Sequence, residues 1–143
     1  MAEAKTGLQT GLLRVCAWLT LASLLTGGVS SFALSGQTAA FDGHMMLAAH
    51  VAGLLGAALL VGLSLSLPHL RWSPQTLRLL CVTFGGAQLA NWFISTLKSF
   101  VFVHGIAPGG STANTIVYVA LTITVVIPAL IGAALWTFGF KRS

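Results

Sequence analysis

With 143 residues the chain has room for a single domain, and 56% of it is hydrophobic against only 6% charged. Soluble domains carry about a quarter charged residues, so a globule facing water on every side is excluded. The net charge of +5 does not indicate nucleic acid, because Lys5, Arg14, Arg71, Arg78, Lys141 and Arg142 flank apolar runs instead of gathering in one patch.

Four apolar stretches, 12–34, 44–67, 77–102 and 114–140, each reach the ~20 residues that a bilayer crossing needs. They use most of the chain, so 1–143 reads as one integral membrane domain. The runs are too long and too unalternating for barrel strands, and backbone in lipid must bond to itself. An all-α fold follows: a bundle of four transmembrane helices. Basic residues lie before or at the opening of the first span, around the second loop and at the C-terminus. The first and third loops hold only Asp42. That bias predicts both termini in the cytoplasm, in a multi-pass protein of the inner (plasma) membrane. Lys98, near the outer end, is placed to snorkel to the interface.

In the first span, residues 31–33 offer a weak cleavage-like site. The apolar run nevertheless exceeds the 7–15 residues of a signal peptide, so it reads as a retained helix. Cys16 and Cys81 lack a CxxC pattern or a histidine neighbour and read as inert core thiols. Breakers at 35–38 close the span.

The second span is rich in small residues, with Ala49, Gly53 and Gly56 on roughly one face. Such a stripe permits close helix packing or an oligomer contact, and it would also suit a flat, rigid ligand. Within this run stands His50, about 9 Å deeper than His44 at the helical rise. One reading is structural glue to a neighbouring helix. A proton relay needs a second ionisable group, and spans two to four contain no Asp or Glu. A zinc or copper site needs three or four ligands. Haem needs one protein ligand on one face, and an apolar, Gly/Ala-lined slot suits its macrocycle. A lone histidine leaves the second iron face open unless another subunit fills it.

Pro68 and Pro74 bracket the second turn, where Trp72 beside Arg71 reads as an interfacial anchor. In the third span Gln88, Asn91, Ser95 and Lys98 are spaced by three, four and three residues, one polar face on an otherwise apolar helix. Such a seam is costly against lipid and should face the bundle interior, a partner or a wet cavity. Asn91 lies about 10 Å below Lys98, a depth similar to that of His50, so the two could meet within a subunit or across an interface. Breakers at 108–111 mark the third loop. In the fourth span Pro128 predicts a kink, Tyr118 a packing residue and Trp136 an interfacial anchor. His44, His69 and His104 gain no role from spacing, and the chain shows no repeats or heptads.

The runs LAAHVAGLLGAALLVGL (47–63), LANWFISTL (89–97) and LWTFGF (135–140) resemble hydroxylaminobenzene mutases and their relatives, the styrene oxide isomerases. The resemblance implies a four-helix membrane isomerase, a homotrimer holding haem b at its subunit interfaces. A second-helix histidine, matching His50, would ligate ferric iron that acts as a Lewis acid, and the small-residue stripe above would put Gly53 and Gly56 against the cofactor. The third-helix asparagine of the family matches Asn91, the expected catalytic residue for orienting substrate or stabilising developing charge, helped by Gln88 and Ser95 of the seam. Three positions depart from the epoxide isomerase pattern. Gly56 stands where an asparagine lines the site, Ser95 at a tyrosine position, and Thr10 at a histidine position. Together with the Ala90-Asn91-Trp92 motif, they turn the expectation toward mutase chemistry: a hydroxylaminobenzene-type aromatic rearranged to an aminophenol. The rivals are an aryl epoxide isomerase giving an aldehyde, and a non-catalytic protein such as an electron-transfer cytochrome or small transporter subunit.

Overall fold

A computed structural model of the protein describes residues 2–140, so Lys141 and Arg142 of the charge pattern lie outside the described residues. The chain forms α1 (Ala2–Leu34), α2 (Gly43–Ser66), a 3₁₀ turn (Leu67–His69), α3 (Pro74–Val101), α4 (Thr112–Leu121), a π turn (Thr122–Val126) and α5 (Ile127–Phe138). The fold is all-helical, with four helices long and apolar enough to cross a membrane: Lys5–Leu34, Gly43–His69, Pro74–Val101 and Thr112–Phe138.

Helix α1 begins ten residues before the apolar stretch that announces it in the sequence. Hydropathy marks only the part that lipid can cover. The polar N-terminal turns hold no proline, and the helix runs on through Gly7 and Gly11 for 33 residues, about 50 Å, beyond a ~30 Å hydrocarbon layer. The other starts are capped by side chains. Asp42 Oδ1 accepts the Met45 amide at 3.0 Å, Ser73 Oγ that of Thr76 at 3.3 Å, and Ser111 Oγ that of Asn114 at 3.1 Å. Pro74 occupies the first turn of α3, where its missing N–H costs nothing.

Pro128 produces a π turn in the segment before it. Without an N–H it cannot close an α-type bond, and its ring crowds the carbonyl four residues back. The preceding turn widens accordingly, and the Ile127 amide bonds to Thr122 O, five residues back. The hydroxyls of Thr122 and Thr124 bond back to Tyr118 O and Ala120 O at 2.9 and 2.7 Å.

Helices α1, α2 and α3 pack together, and the fourth span leans on α3. The main apolar core unites Leu12, Leu19, Leu60, Leu63, Leu77 and Phe84 with the turn residues Leu67 and Leu70. It therefore sits toward the end of the bundle that carries the α2–α3 turn. Lys5 Nζ donates to Pro68 O and Leu70 O at 3.2 and 3.0 Å, Arg71 N to Gly139 O at 2.8 Å, and Trp72 Nε1 to Leu135 O at 2.7 Å. The start of α1, the α2–α3 turn and the end of α5 thus share one end of the bundle.

The opposite end is more polar inside. Ser23, Thr26, Ser30, Ser95 and Ser99 are buried there. The α3–α4 loop is organised by Asn114, which accepts from Gly105 N at 2.7 Å and donates to Ala107 O and Gly109 O at 2.8 and 2.9 Å. Gly105 takes a φ of 64°, the left-handed region that a Cβ disfavours.

Candidate active site at the polar end of the bundle

His50 sits on the flank of α2 that turns toward α1. Its Nδ1 lies 2.6 Å from the main-chain oxygen of Ser23. A carbonyl only accepts, so this nitrogen carries the proton, and in the uncharged ring Nε2 keeps its lone pair. Nε2 has no hydrogen-bond partner among the described residues, and the side chain is half-buried. The ring fits because residue 27 has no side chain: a Cβ there would come within 2.6 Å of Nδ1 and 2.7 Å of Cε1.

Gly53 and Gly56 do not present an open slot within this chain. A Cβ at Gly53 would collide with Ser23 Oγ and approach Trp92 Cδ1 at 2.8 Å. One at Gly56 would meet Gln88 Oε1 at 3.0 Å and Leu19 Cδ2 at 3.3 Å. Both glycines are crossing points at which α2 closes on α1 and α3.

The seam on α3 forms as one helical face. Ser95 is buried, and Gln88, Asn91 and Lys98 are half-buried. Lys98 reaches the loop beyond the helix end, Nζ to His104 O at 3.3 Å. The side chains of Gln88, Asn91 and Ser95 make no hydrogen bond to any described residue. Two uncommitted amides at membrane depth call for a partner from outside the chain.

No hydrogen bond joins His50 to this seam within the described residues. His50 contacts α1, whereas Gln88 meets α2 at Gly56, and at roughly 100° per residue Gly56 lies about 120° round α2 from His50. Among the described residues no three His, Cys, Asp or Glu side chains gather to hold a metal ion.

Trp92 and Gly27 were not marked by spacing. The Trp92 indole N–H is buried without a hydrogen-bond partner among the described residues, and the ring borders a cavity of about 220 Å³ between α1 and α3. Its place beside Asn91 was visible in the sequence, but which helix it would meet was not. Gly27 is one of a glycine pair in α1 and carries no local signal of the ring above it.

Four apolar spans define a multi-pass helical membrane protein, and an uncommitted histidine nitrogen and a polar seam at membrane depth are its candidate site. The chain belongs to the styrene oxide isomerase family, whose sequence profile matches residues 8–140. The match takes in all four spans and every site residue named above, and it makes the protein a membrane isomerase of that type. No curated protein and no solved structure matches the chain.

Proposed function

We propose that the protein catalyses a redox-neutral rearrangement of a small aromatic compound, hydroxylaminobenzene to an aminophenol first, with ferric haem b on His50. The observation that carries this reading is the bond between Ser23 O and His50 Nδ1, which leaves Nε2 as a free donor. A histidine that ligates a metal through one nitrogen commonly donates its other N–H to a carbonyl, so the donor set fits haem. When bound, ferric haem supplies a Lewis acid that draws negative charge onto a substrate oxygen.

The chain's own residues would do the rest. Asn91 has a free amide to orient the substrate and to donate to oxygen as the N–O bond lengthens, with Gln88 and Ser95 beside it on the seam. In the net change the N–O bond breaks, a C–O bond forms at a ring carbon, the proton leaving that carbon restores aromaticity, and one proton is taken up at nitrogen to give the amine. Substrate and product are isomers, so no external oxidant or reductant enters. Hydrocarbon around the site would keep bulk water from trapping the electron-poor ring.

His50 and the seam lie on different sides of α2, which supports a site shared between subunits. His50 of one copy would face the Asn91 seam of the next. A homotrimer with haem at its interfaces satisfies this. The charge pattern supports cytoplasmic termini, in a plasma membrane.

A second reading is favoured by the family match: opening of an aryl epoxide by the same polarisation, with a 1,2-shift giving an aldehyde. Gly56 and Ser95, at the positions of an asparagine and a tyrosine in the resemblance, favour the mutase.

The test is an absorption spectrum of detergent-purified protein reconstituted with haemin, for wild type and His50→Ala. A Soret band in the first, lost or strongly shifted in the second, supports the reading; identical spectra remove His50 from the site. Hydroxylaminobenzene and styrene oxide are then supplied separately. Aminophenol supports the mutase, phenylacetaldehyde the second reading, and no product from either discards both.

A further inference from the structure

The proposed chemistry draws on one bond from the polar stretch of α1, that of the Ser23 carbonyl to His50, yet three donors converge on that oxygen. Ser23 O accepts from His50 Nδ1 at 2.6 Å and from Thr26 Oγ at 2.8 Å, and it is also the α-helical acceptor for the amide four residues on. A carbonyl oxygen has two lone pairs, so the donors compete. A helical carbonyl ordinarily points along its own axis. To meet a side chain of a neighbouring helix it must tilt outward, and this stretch is built for that.

Ser23 and Thr26 bond back to Leu19 O and Ser23 O, while Ser30 and Ser31 both bond back to Gly27 O. Back-bonding hydroxyls of this kind loosen and bend a helix. Gly27 then supplies the gap through which the ring reaches the carbonyl.

We infer that α1 is the positioning element for His50: the Ser23 carbonyl, reached over Gly27 and shared with the Thr26 hydroxyl, holds the Nδ1–H tautomer and sets how strongly Nε2 donates. The tautomer is a property of this chain alone; the donor strength rests on the haem reading. Gly27 admits the ring, and the smallest possible side chain there drives the imidazole off its acceptor. Thr26 moderates the bond, since each hydrogen bond that the carbonyl accepts weakens its pull on the next. Removing the hydroxyl tightens the hold on Nδ1–H, makes the imidazole more electron-rich and favours ferric over ferrous iron.

The experiment has two arms. In the first, the apo protein carries ¹⁵N-labelled histidine, and His50 is assigned by difference from His50→Gln. A protonated Nδ1 beside an unprotonated Nε2 is expected; the opposite tautomer overturns the inference whether or not haem binds. In the second, Gly27→Ala, Gly28→Ala and Thr26→Val are reconstituted with haemin. Nothing lies within 4 Å of a Cβ at Gly28, so that variant should bind like wild type. Gly27→Ala should lose roughly 10–100-fold in haem affinity, the usual effect of disturbing an outer-shell partner. Thr26→Val, which keeps the side-chain shape, should keep affinity and move the reduction potential to more negative values.

Wild-type affinity in Gly27→Ala, or an unmoved potential in Thr26→Val, overturns the inference. Should Gly27→Ala fail to fold, Thr26→Val and the tautomer still decide it. A wild type that binds no haem defeats the proposed function and leaves the tautomer to judge the positioning role.

Discussion

At the scale of single residues, the site depends on side chains that are absent as much as on those present. Gly27, Gly53 and Gly56 each mark a place where a neighbouring helix already fills the space a methyl group would need. Gly53→Ala is therefore expected to cost about 1–3 kcal/mol through overpacking against Ser23 and Trp92, seen as a lowered midpoint in denaturant titration of the detergent-solubilised protein. Trp92 works the other way. Its buried N–H has no partner among the described residues, and an unmet buried donor costs about 1–3 kcal/mol, so Trp92→Phe should keep or raise the midpoint. A clear loss would mean that the indole finds an acceptor in the assembled protein. Asn91 makes no hydrogen bond to any described residue, so Asn91→Ala should leave folding and the Soret band intact while lowering kcat about 10²–10³-fold.

At the scale of elements, the sequence showed the helices well and their ends less well. Apolar run length located all four spans, because lipid admits little else. It left open where α1 begins ahead of its apolar stretch, since nothing in hydropathy separates a helix that leaves the bilayer from one that stops there. It expected a simple kink at Pro128, where the chain adopts a π turn: relief of the proline clash depends on how far the preceding carbonyls can shift. Pro128→Ala restores a donor and removes the clash, so amide exchange across 122–128 should slow; an unchanged exchange pattern would assign the π turn to packing on α3 instead. Asp42 does more than mark a loop. It caps α2 through the Met45 amide, and its own amide bonds to Ser99 O at 2.9 Å. Asp42→Ala should cost about 1 kcal/mol in the same titration.

At the scale of the whole molecule, the two halves of the bundle have different work. One end carries the apolar core and the ties among α1, the α2–α3 turn and the end of α5; the other carries buried hydroxyls, His50 and the seam. The fourth span is almost bare: among its described residues only Gly132 is buried, pressed against Phe84. That leaves wide apolar faces for lipid or further copies. The topology has a direct check. In intact cells a cysteine placed at Ser73 should resist a membrane-impermeant thiol reagent, while one at Ser111 should react, in a background lacking Cys16 and Cys81; the reverse pattern would invert the protein in the membrane.

The sequence by itself determined the solvent, the number of crossings and the polar face of α3, because each depends only on composition and helical period. It also singled out His50, since an ionisable group in hydrocarbon is costly enough to stand out in any apolar run. Only the tertiary structure decided which nitrogen of that histidine is committed, that Gly53 and Gly56 are filled by this chain's own helices, and that the seam lies on another side of α2. Those facts depend on how helices rotate and cross. A helical pattern fixes which residues share a face; which neighbour that face meets is settled by close packing alone.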